Sequence, residues 1–302
     1  MSAIIDRILS RLGDRDLLRK LRALPKSDLN SLLLALYEAQ ANNAAPADVL
    51  KAYQANRFCA PSGLDAVAYH LLEAEVLALA QKAGIEPVIL SPSAPFASCS
   101  AFGCVSQNKV MSAARGTETL SDPTNMLAIL IAARLKGREI DNQSPVHLCA
   151  TARVARAQAI PSTRIHFSHF GVLGMVSSGK DGGSYACEKA LLAKQLAYYK
   201  ELLIEKYGAR LSVELRQRGG YPDSHGFFES MKQLVDMPIA VAADSEANNY
   251  YRGLQFKMYM HKGGDAVEIG DGGFVDWIQR MTGNKKERCL ISGIGLDRLL
   301  LH

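Results

Sequence analysis

The chain opens on apolar positions spaced for a helix. Ile4, Ile5, Ile8, Leu9 and Leu12 recur among Asp6, Arg7, Asp14 and Arg15, the period of an amphipathic helix with one apolar stripe. The helical pattern runs on to about Asn56, with Ser27-Asp28 as an N-cap ahead of Leu29-Asn30-Ser31-Leu32-Leu33-Leu34-Ala35-Leu36. Arg57-Phe58-Cys59-Ala60-Pro61-Ser62-Gly63 then breaks the period, as Pro and Gly do. The expected organisation is a small helical N-terminal attachment over residues 1–60 and a core over residues 61–302.

Within the core the pattern predicts a helix from Asp65 to Gly84, an extended stretch Pro87–Pro92 and a helix from Asn125 to about Leu135, just after Pro123. Two strands, Val146–Val154 and Arg164–Val172, form a hairpin around a long basic turn containing Pro161-Ser162-Thr163. A helix follows over Ser184–Tyr207, then strands over Leu211–Leu215, Tyr250–Met260 and Ala266–Ile269, with a helix inserted around Phe227–Leu234. Strands outnumber the crossover helices that a parallel sheet requires. The fold class is therefore α+β, a mainly antiparallel sheet flanked by helices.

Composition narrows the function classes. A chain of 302 residues with 48% hydrophobic and 22% charged residues is an ordinary globular mixture, which excludes a disordered chain. The net charge of +5 is spread over 35 basic and 30 acidic residues, so nucleic-acid binding is permitted but not indicated. Six cysteines lie scattered among apolar neighbours, pointing to reduced thiols and a cytoplasmic location. The longest apolar run, Met126–Ala133, is far shorter than the roughly 18 residues of a membrane span. The polar-studded N-terminus is not a signal peptide.

Candidate chemistry gathers towards the C-terminus. In Ile291-Ser292-Gly293-Ile294-Gly295-Leu296-Asp297-Arg298-Leu299, two glycines at a strand-to-helix junction permit close backbone approach, and Arg298 can grip phosphate or stack on a base. An ordinary turn followed by a surface arginine is the competing reading. Gly272-Gly273-Phe274-Val275-Asp276-Trp277 precedes the run, and Asn249-Tyr250-Tyr251-Arg252-Gly253-Leu254-Gln255-Phe256 precedes both. This order resembles the class II aminoacyl-tRNA synthetase core, and within it histidyl-tRNA synthetases and their paralogues, which carry Asp-Tyr-Tyr-Thr-x-x-x-Phe, Gly-Gly-Arg-Tyr-Asp and a glycine-rich strand ending in Leu-Asp/Glu-Arg-Leu.

The resemblance covers roughly Ala66 to Leu301 and implies roles along the chain. Arg156-Ala157-Gln158 through Phe167 is similar to the Arg-x-Glu strand and returning aromatic strand of the second class II motif. It implies Arg156 at the α-phosphate of ATP and the attacked carboxylate, Gln158 at the adenine amino group, Arg164 at the outer phosphates, Phe167 stacked on adenine, and Arg298 with Arg156 positioning the triphosphate. Leu120-Ser121-Asp122-Pro123-Thr124-Asn125 is similar to the segment whose acid binds the substrate's amino group, giving Asp122 that role with Thr124 beside it. The same residues also make a good helix start with a capping carboxylate. By the same resemblance Asn249, Tyr250 and Tyr251 would line the pocket for a small amino or carboxylic acid, and Glu268 and Asp271 are candidate Mg2+ ligands. The long helix and following extended stretch resemble the first class II motif, and that resemblance implies a homodimer.

Departures shape the functional expectation. Gln158 stands for the motif's Glu, Glu246 for an arginine, and Phe274-Val275 for Arg-Tyr. The chain stops where a synthetase continues into an anticodon-binding domain, which argues against tRNA as substrate. The expected activity is ATP-dependent formation of an acyl-adenylate. The alternative is a noncatalytic paralogue that senses a ligand or regulates a partner enzyme. A rival nucleotide motif, Gly174-Met175-Val176-Ser177-Ser178-Gly179-Lys180, has the Gly-x-x-x-x-Gly-Lys spacing but is followed by Asp181, where a phosphate loop needs a hydroxyl for magnesium.

Overall fold

A computed structural model describes residues 3–141, 143–157, 168–242 and 250–302. Four helices come first: α1 (Ala3–Arg11), α2 (Leu17–Ala23), α3 (Lys26–Asn42) and α4 (Pro46–Ala55). The single helix-like pattern is thus cut at Gly13, which adopts a φ of +67°, at Pro25 and at Pro46, where proline removes a donor and restricts the residue before it. Of these helices only α1 buries a residue, Leu9.

The core begins at α5 (Ala66–Lys82), whose first turn is capped by Asp65 accepting from the Ala68 amide at 2.7 Å. Tyr69, Leu72, Val76, Leu79 and Ala80 make its buried stripe, while Val67 and Leu71 stay exposed. Then follow β1 (Glu86–Pro87), β2 (Ser93–Pro95), α6 (Ser98–Ala101), β3 (Ser112–Ala113), β4 (Thr117–Thr119) and α7 (Pro123–Lys136). The hairpin strands are β5 (Val146–Ala155) and β6 (His169–Lys180), succeeded by α8 (Ala186–Tyr207), β7 (Arg210–Gln217), α9 (Ser224–Lys232) and β8 (Ile239–Val241). The chain closes through β9 (Arg252–Lys262), β10 (Asp265–Val275), α10 (Trp277–Thr282), β11 (Glu287–Gly295) and α11 (Leu296–Leu300).

Among the described residues one eight-stranded sheet runs β1-β5-β6-β11-β10-β9-β7-β8. The pairs β1/β5 and β7/β8 are parallel and every other pair is antiparallel, as the strand-rich pattern predicts. A three-stranded sheet, β2-β4-β3, lies apart from it. Several of the sequence readings change. The second hairpin strand, expected over Arg164–Val172, is β6 over His169–Lys180. Residues 174–180, the rival phosphate-loop spacing, form the C-terminal half of β6 and pair throughout with β11, so their backbone is committed to the ladder and forms no phosphate loop. Gly272-Gly273, read as lying beyond a strand end, sits inside β10.

Strand alternation gives the sheet two buried faces. One packs under α5 and α8, with Leu173, Met175, Phe256, Met258, Phe274, Leu290 and Ile294 meeting Leu191, Leu196, Tyr198 and Tyr199. The other packs under α7 and α10, where Leu148, Ala150, Val176, Cys289 and Ile291 meet Leu127, Ile131, Trp277 and Ile278. Each fully buried Leu or Ile contributes about 1.5–3 kcal/mol relative to exposure. Among the described residues the second face is covered mainly over β5, β6 and β11 and by Tyr251 and Val275 at the end of β10. Beyond them it carries half-buried polar residues: Ser212, Glu214 and Arg216 on β7, Lys257 and Tyr259 on β9, and Glu268 and Asp271 on β10.

Candidate functional site

The boundary between the covered and polar parts of that second face is where the predicted site residues meet. Register aligns Ala150, Gly174, Gly293, Asp271 and Lys257 in one row across five strands, so these positions share a face. Glycine is needed at two places there. A Cβ at Gly174 would stand 2.5 Å from Pro123 Cγ, and one at Gly273 would stand 2.5 Å from Tyr251 Cδ1. Gly174 lets the start of α7 press onto the sheet, and Gly273 lets the Tyr251 ring lie across β10.

Asp122 caps α7, one of the two roles its sequence context suggests, and also faces Arg156. Its Oδ1 caps α7, accepting from the Thr124 amide at 2.9 Å and the Thr124 hydroxyl at 2.7 Å, and its Oδ2 faces Arg156 Nη2 at 3.7 Å. Thr124 is therefore spent on the cap and buried. Arg156 leaves the end of β5 with its amide donating to the Ser168 carbonyl at 3.0 Å. Its Nε donates to the Ser121 carbonyl at 3.0 Å and its guanidinium lies 5.0 Å from the Phe170 ring centre. Two contacts thus aim one half-buried guanidinium and leave its outer edge towards Asp122.

Tyr250 and Tyr251 meet edge to face at 4.7 Å, and Tyr250 meets Trp277 the same way at 5.6 Å. Burial raises both hydroxyls well above their ordinary range, so both remain protonated at neutral pH. The Tyr251 hydroxyl donates to Asp271 Oδ2 at 3.0 Å. Burial also raises the Asp271 carboxyl, the Tyr251 hydrogen bond opposes that rise, and the nearby charges of Asp122 and Glu268 add to it while Arg156 again opposes it. A carboxylate enclosed with another carboxylate for a neighbour is under-compensated. A cation placed between them relieves both.

Glu118, on β4, holds one wall of this region in place. It is buried and accepts from the Ala97 amide at 2.8 Å, Ser98 Oγ at 2.7 Å, the Cys99 amide at 3.3 Å and Gln107 Nε2 at 2.9 Å. Burial alone would raise its carboxyl, but the hydrogen bonds outweigh it and hold the group below the usual carboxylate range. Cys99, so anchored, rests its thiol 3.0 Å from Ser121 Oγ, and burial pushes that thiol up to about 11. These residues escaped sequence reasoning. The one signal was Glu118 between two threonines, the alternation of a short strand with an acid turned inward.

The structure thus brings Asp122, Thr124, Arg156, Tyr250, Tyr251 and Asp271 together. Glu268 and Arg298 border the cluster. Glu268 Oε2 receives Lys257 Nζ at 2.9 Å, and Arg298, on α11, donates to the Glu268 carbonyl. Glu268 is therefore already neutralised, and no group of three or more His, Cys, Asp or Glu suited to a metal occurs among the described residues. Gln158, Arg164, Phe167, Glu246 and Asn249 lie outside the described residues. No described helix is long and apolar enough to cross a membrane.

No family model matches the sequence, and no curated protein matches it. Solved structures do match the fold. Apo histidyl-tRNA synthetase of S. aureus aligns with a TM-score of 0.59 at 12% identity, over 77% of this chain and 64% of that one. The chain thus spans just under two thirds of that synthetase. An ATP phosphoribosyltransferase regulatory subunit/histidyl-tRNA synthetase from Bacillus halodurans C aligns with a TM-score of 0.59 at 13% identity, over 81% of both chains. A histidine–tRNA ligase subunit from Alicyclobacillus acidocaldarius aligns with a TM-score of 0.54 at 14% identity, over 80% of this chain and 96% of that one. Strand order, motif order and these likenesses agree that the chain has the class II aminoacyl-tRNA synthetase core fold.

Proposed function

We propose that the cluster on the open face binds ATP and a small amino acid or related carboxylic acid and joins them as an acyl-adenylate. The observation that carries this reading is the grouping of opposite charges in one cluster: two mutually repelling carboxylates, Asp122 and Asp271, beside one aimed guanidinium, Arg156. That pattern suits a zwitterion. The substrate ammonium lies between the two aspartates, its body lies against Tyr250 and Tyr251, and its carboxylate points to Arg156. The ATP α-phosphate shares the Arg156 guanidinium, and Arg298 takes the outer phosphates.

In the step proposed, a carboxylate oxygen forms a bond to the α-phosphorus and the bond from that phosphorus to the bridging oxygen breaks, releasing pyrophosphate. Arg156 lowers the repulsion between the two anions as they meet and stabilises the charge that builds on the α-phosphate. Glu268 and Asp271 make a poor resident magnesium site, because Lys257 already pairs with the first and the second is held by Tyr251. In this reading magnesium arrives with the nucleotide's own phosphates. A homodimer formed through the exposed Val67 and Leu71 side of α5 completes the reading.

ATP–pyrophosphate exchange across a panel of amino and carboxylic acids tests the proposal. Exchange stimulated by one acid or a small related group is the expected result. Absence of exchange with every acid, together with no ATP binding by calorimetry, sinks it. A second reading is a ligand-sensing subunit of another enzyme. It is favoured by the alignment over 81% of both chains with an ATP phosphoribosyltransferase regulatory subunit/histidyl-tRNA synthetase. Co-purification of a partner enzyme whose rate responds to this chain supports that reading.

A further inference from the structure

The linker between α4 and α5 is fastened to the strands that frame Arg156. Arg57 Nη1 donates to Ser168 Oγ at 2.6 Å and Arg57 Nη2 donates to the Ala157 carbonyl at 3.3 Å, while its guanidinium lies 4.3 Å from the Phe58 ring centre. Three residues on, the Ala60 carbonyl meets His169 Nε2 at 2.6 Å. A carbonyl only accepts, so Nε2 carries the proton and Nδ1 accepts from Arg153 Nη2 at 3.0 Å. Arg153 also reaches Asp297 at 3.3 Å, the residue before Arg298.

Two acceptors of Arg57 sit on either side of Arg156. Ala157 is its neighbour in the chain, and Ser168 is the residue whose carbonyl receives the Arg156 amide at 3.0 Å. A planar fork with fixed donors that bridges these two points sets the spacing of the strand ends, which a single ammonium cannot do. The strand ends in turn set where the Arg156 side chain begins. The described ladder of β5 and β6 ends at Ala155 and His169, and the Ala157 amide donates to the Lys109 carbonyl at 2.9 Å.

We propose that Arg57 is a positioning residue for Arg156, so that the N-terminal attachment helps set the geometry of the phosphate-gripping guanidinium. The inference rests on the nucleotide reading above for its consequence, but not for its structural part. Arg57 touches no reacting atom. It removes freedom from the residues on which Arg156 is mounted, which matters because a small misplacement of a charge-stabilising group weakens its grip steeply.

The test uses the full chain with Arg57→Ala, Arg57→Lys and, as a control on the same exposed segment, Lys51→Ala. Hydrogen exchange without ligand should quicken about tenfold at the Arg156 and Ala157 amides in Arg57→Ala, and the Kd for ATP should rise about tenfold. The melting temperature should stay within about 2 °C. Arg57→Lys should recover part of both effects and Lys51→Ala should change neither. Wild-type exchange at those amides in Arg57→Ala overturns the proposal, as does quickened exchange with an unaltered Kd for ATP. If the wild-type chain binds no ATP, the nucleotide reading fails by itself; quickened exchange then upholds the positioning role and unchanged exchange overturns it.

Discussion

The two faces of the sheet each carry a polar cluster, and the clusters differ in kind. Under α8, Tyr199 meets Ser292 Oγ at 2.7 Å, Ser292 donates to Gln195 Oε1 at 2.6 Å, Gln195 donates to Ser177 Oγ at 2.8 Å and the Leu290 carbonyl at 3.2 Å, and Ser177 meets His147 at 2.8 Å. This set holds no carboxylate and closes on itself. Across the sheet, Asp122, Arg156 and Asp271 are charged and part-exposed, Tyr251 is buried with its hydroxyl aimed at Asp271, and the set leaves a raised carboxyl beside another acid. A satisfied network specifies the packing of α8 on β6 and β11. A cluster left short of a cation is the kind of place where a ligand completes the electrostatics.

If that contrast is right, substitutions on the two faces should separate stability from function. Arg156→Ala should lower pyrophosphate exchange by about 100-fold or more, with little change in melting temperature, because the side chain is half-buried and its partners can reach water. Retained exchange in that variant breaks the assignment of the open face. Gln195→Leu should do the reverse. It strips a donor or acceptor from Ser177, Ser292 and the Leu290 carbonyl, and should cost about 2–3 kcal/mol in urea unfolding, while the folded fraction keeps its ligand affinity.

Asp271→Asn sharpens the comparison further. Because the folded carboxyl is raised above its unfolded value, its favourable contribution is present at acid pH and is lost as pH rises through the folded pKa. The amide removes that loss, so melting at neutral pH should rise by about 1–3 °C while affinity for the amino acid falls about tenfold. A fall in both would mean that Asp271 is structural. The smallest effect is expected at His147, whose pKa burial lowers from 6.5 to about 4. As pH falls from 6.5 towards 4 the unfolded chain takes up the proton first, so stability is lost over that window. His147→Asn should flatten that limb of a pH–melting curve, and an unchanged limb would contradict the closed-network picture.

Much of the architecture was legible because the relevant elements are long. The buried stripe of α5 and the strand β5 show their periods plainly, whereas the strand expected over Arg164–Val172 overlaps β6 only at residues 169–172, and the antiparallel sheet follows from the count of strands against helices. What was hidden was short or glycine-rich. β2, β3, β4 and β8 are too brief to show a period, and the strand expected over Ala266–Ile269 continues through Gly272 and Gly273, which make room for the Phe256 and Tyr251 rings. The site residues Asp122, Arg156, Tyr250 and Tyr251 were legible only as an ordered set, since each alone has an ordinary use. Asp271 was read as a metal ligand, and its hydrogen bond to Tyr251 is a tertiary fact that no local pattern encodes. The Arg57 staple was invisible for the same reason: it joins residues 111 and 100 positions apart in the chain.

The most direct test of the open-face account is a crystal structure of the chain with ATP bound. The account predicts the α-phosphate against the Arg156 guanidinium, with Asp122, Tyr251 and Asp271 lining the adjoining space and Arg298 turned to the outer phosphates. Nucleotide bound on the α5 and α8 side of the sheet, or bound with Arg156 still facing only Asp122 and the Ser121 carbonyl, would contradict it.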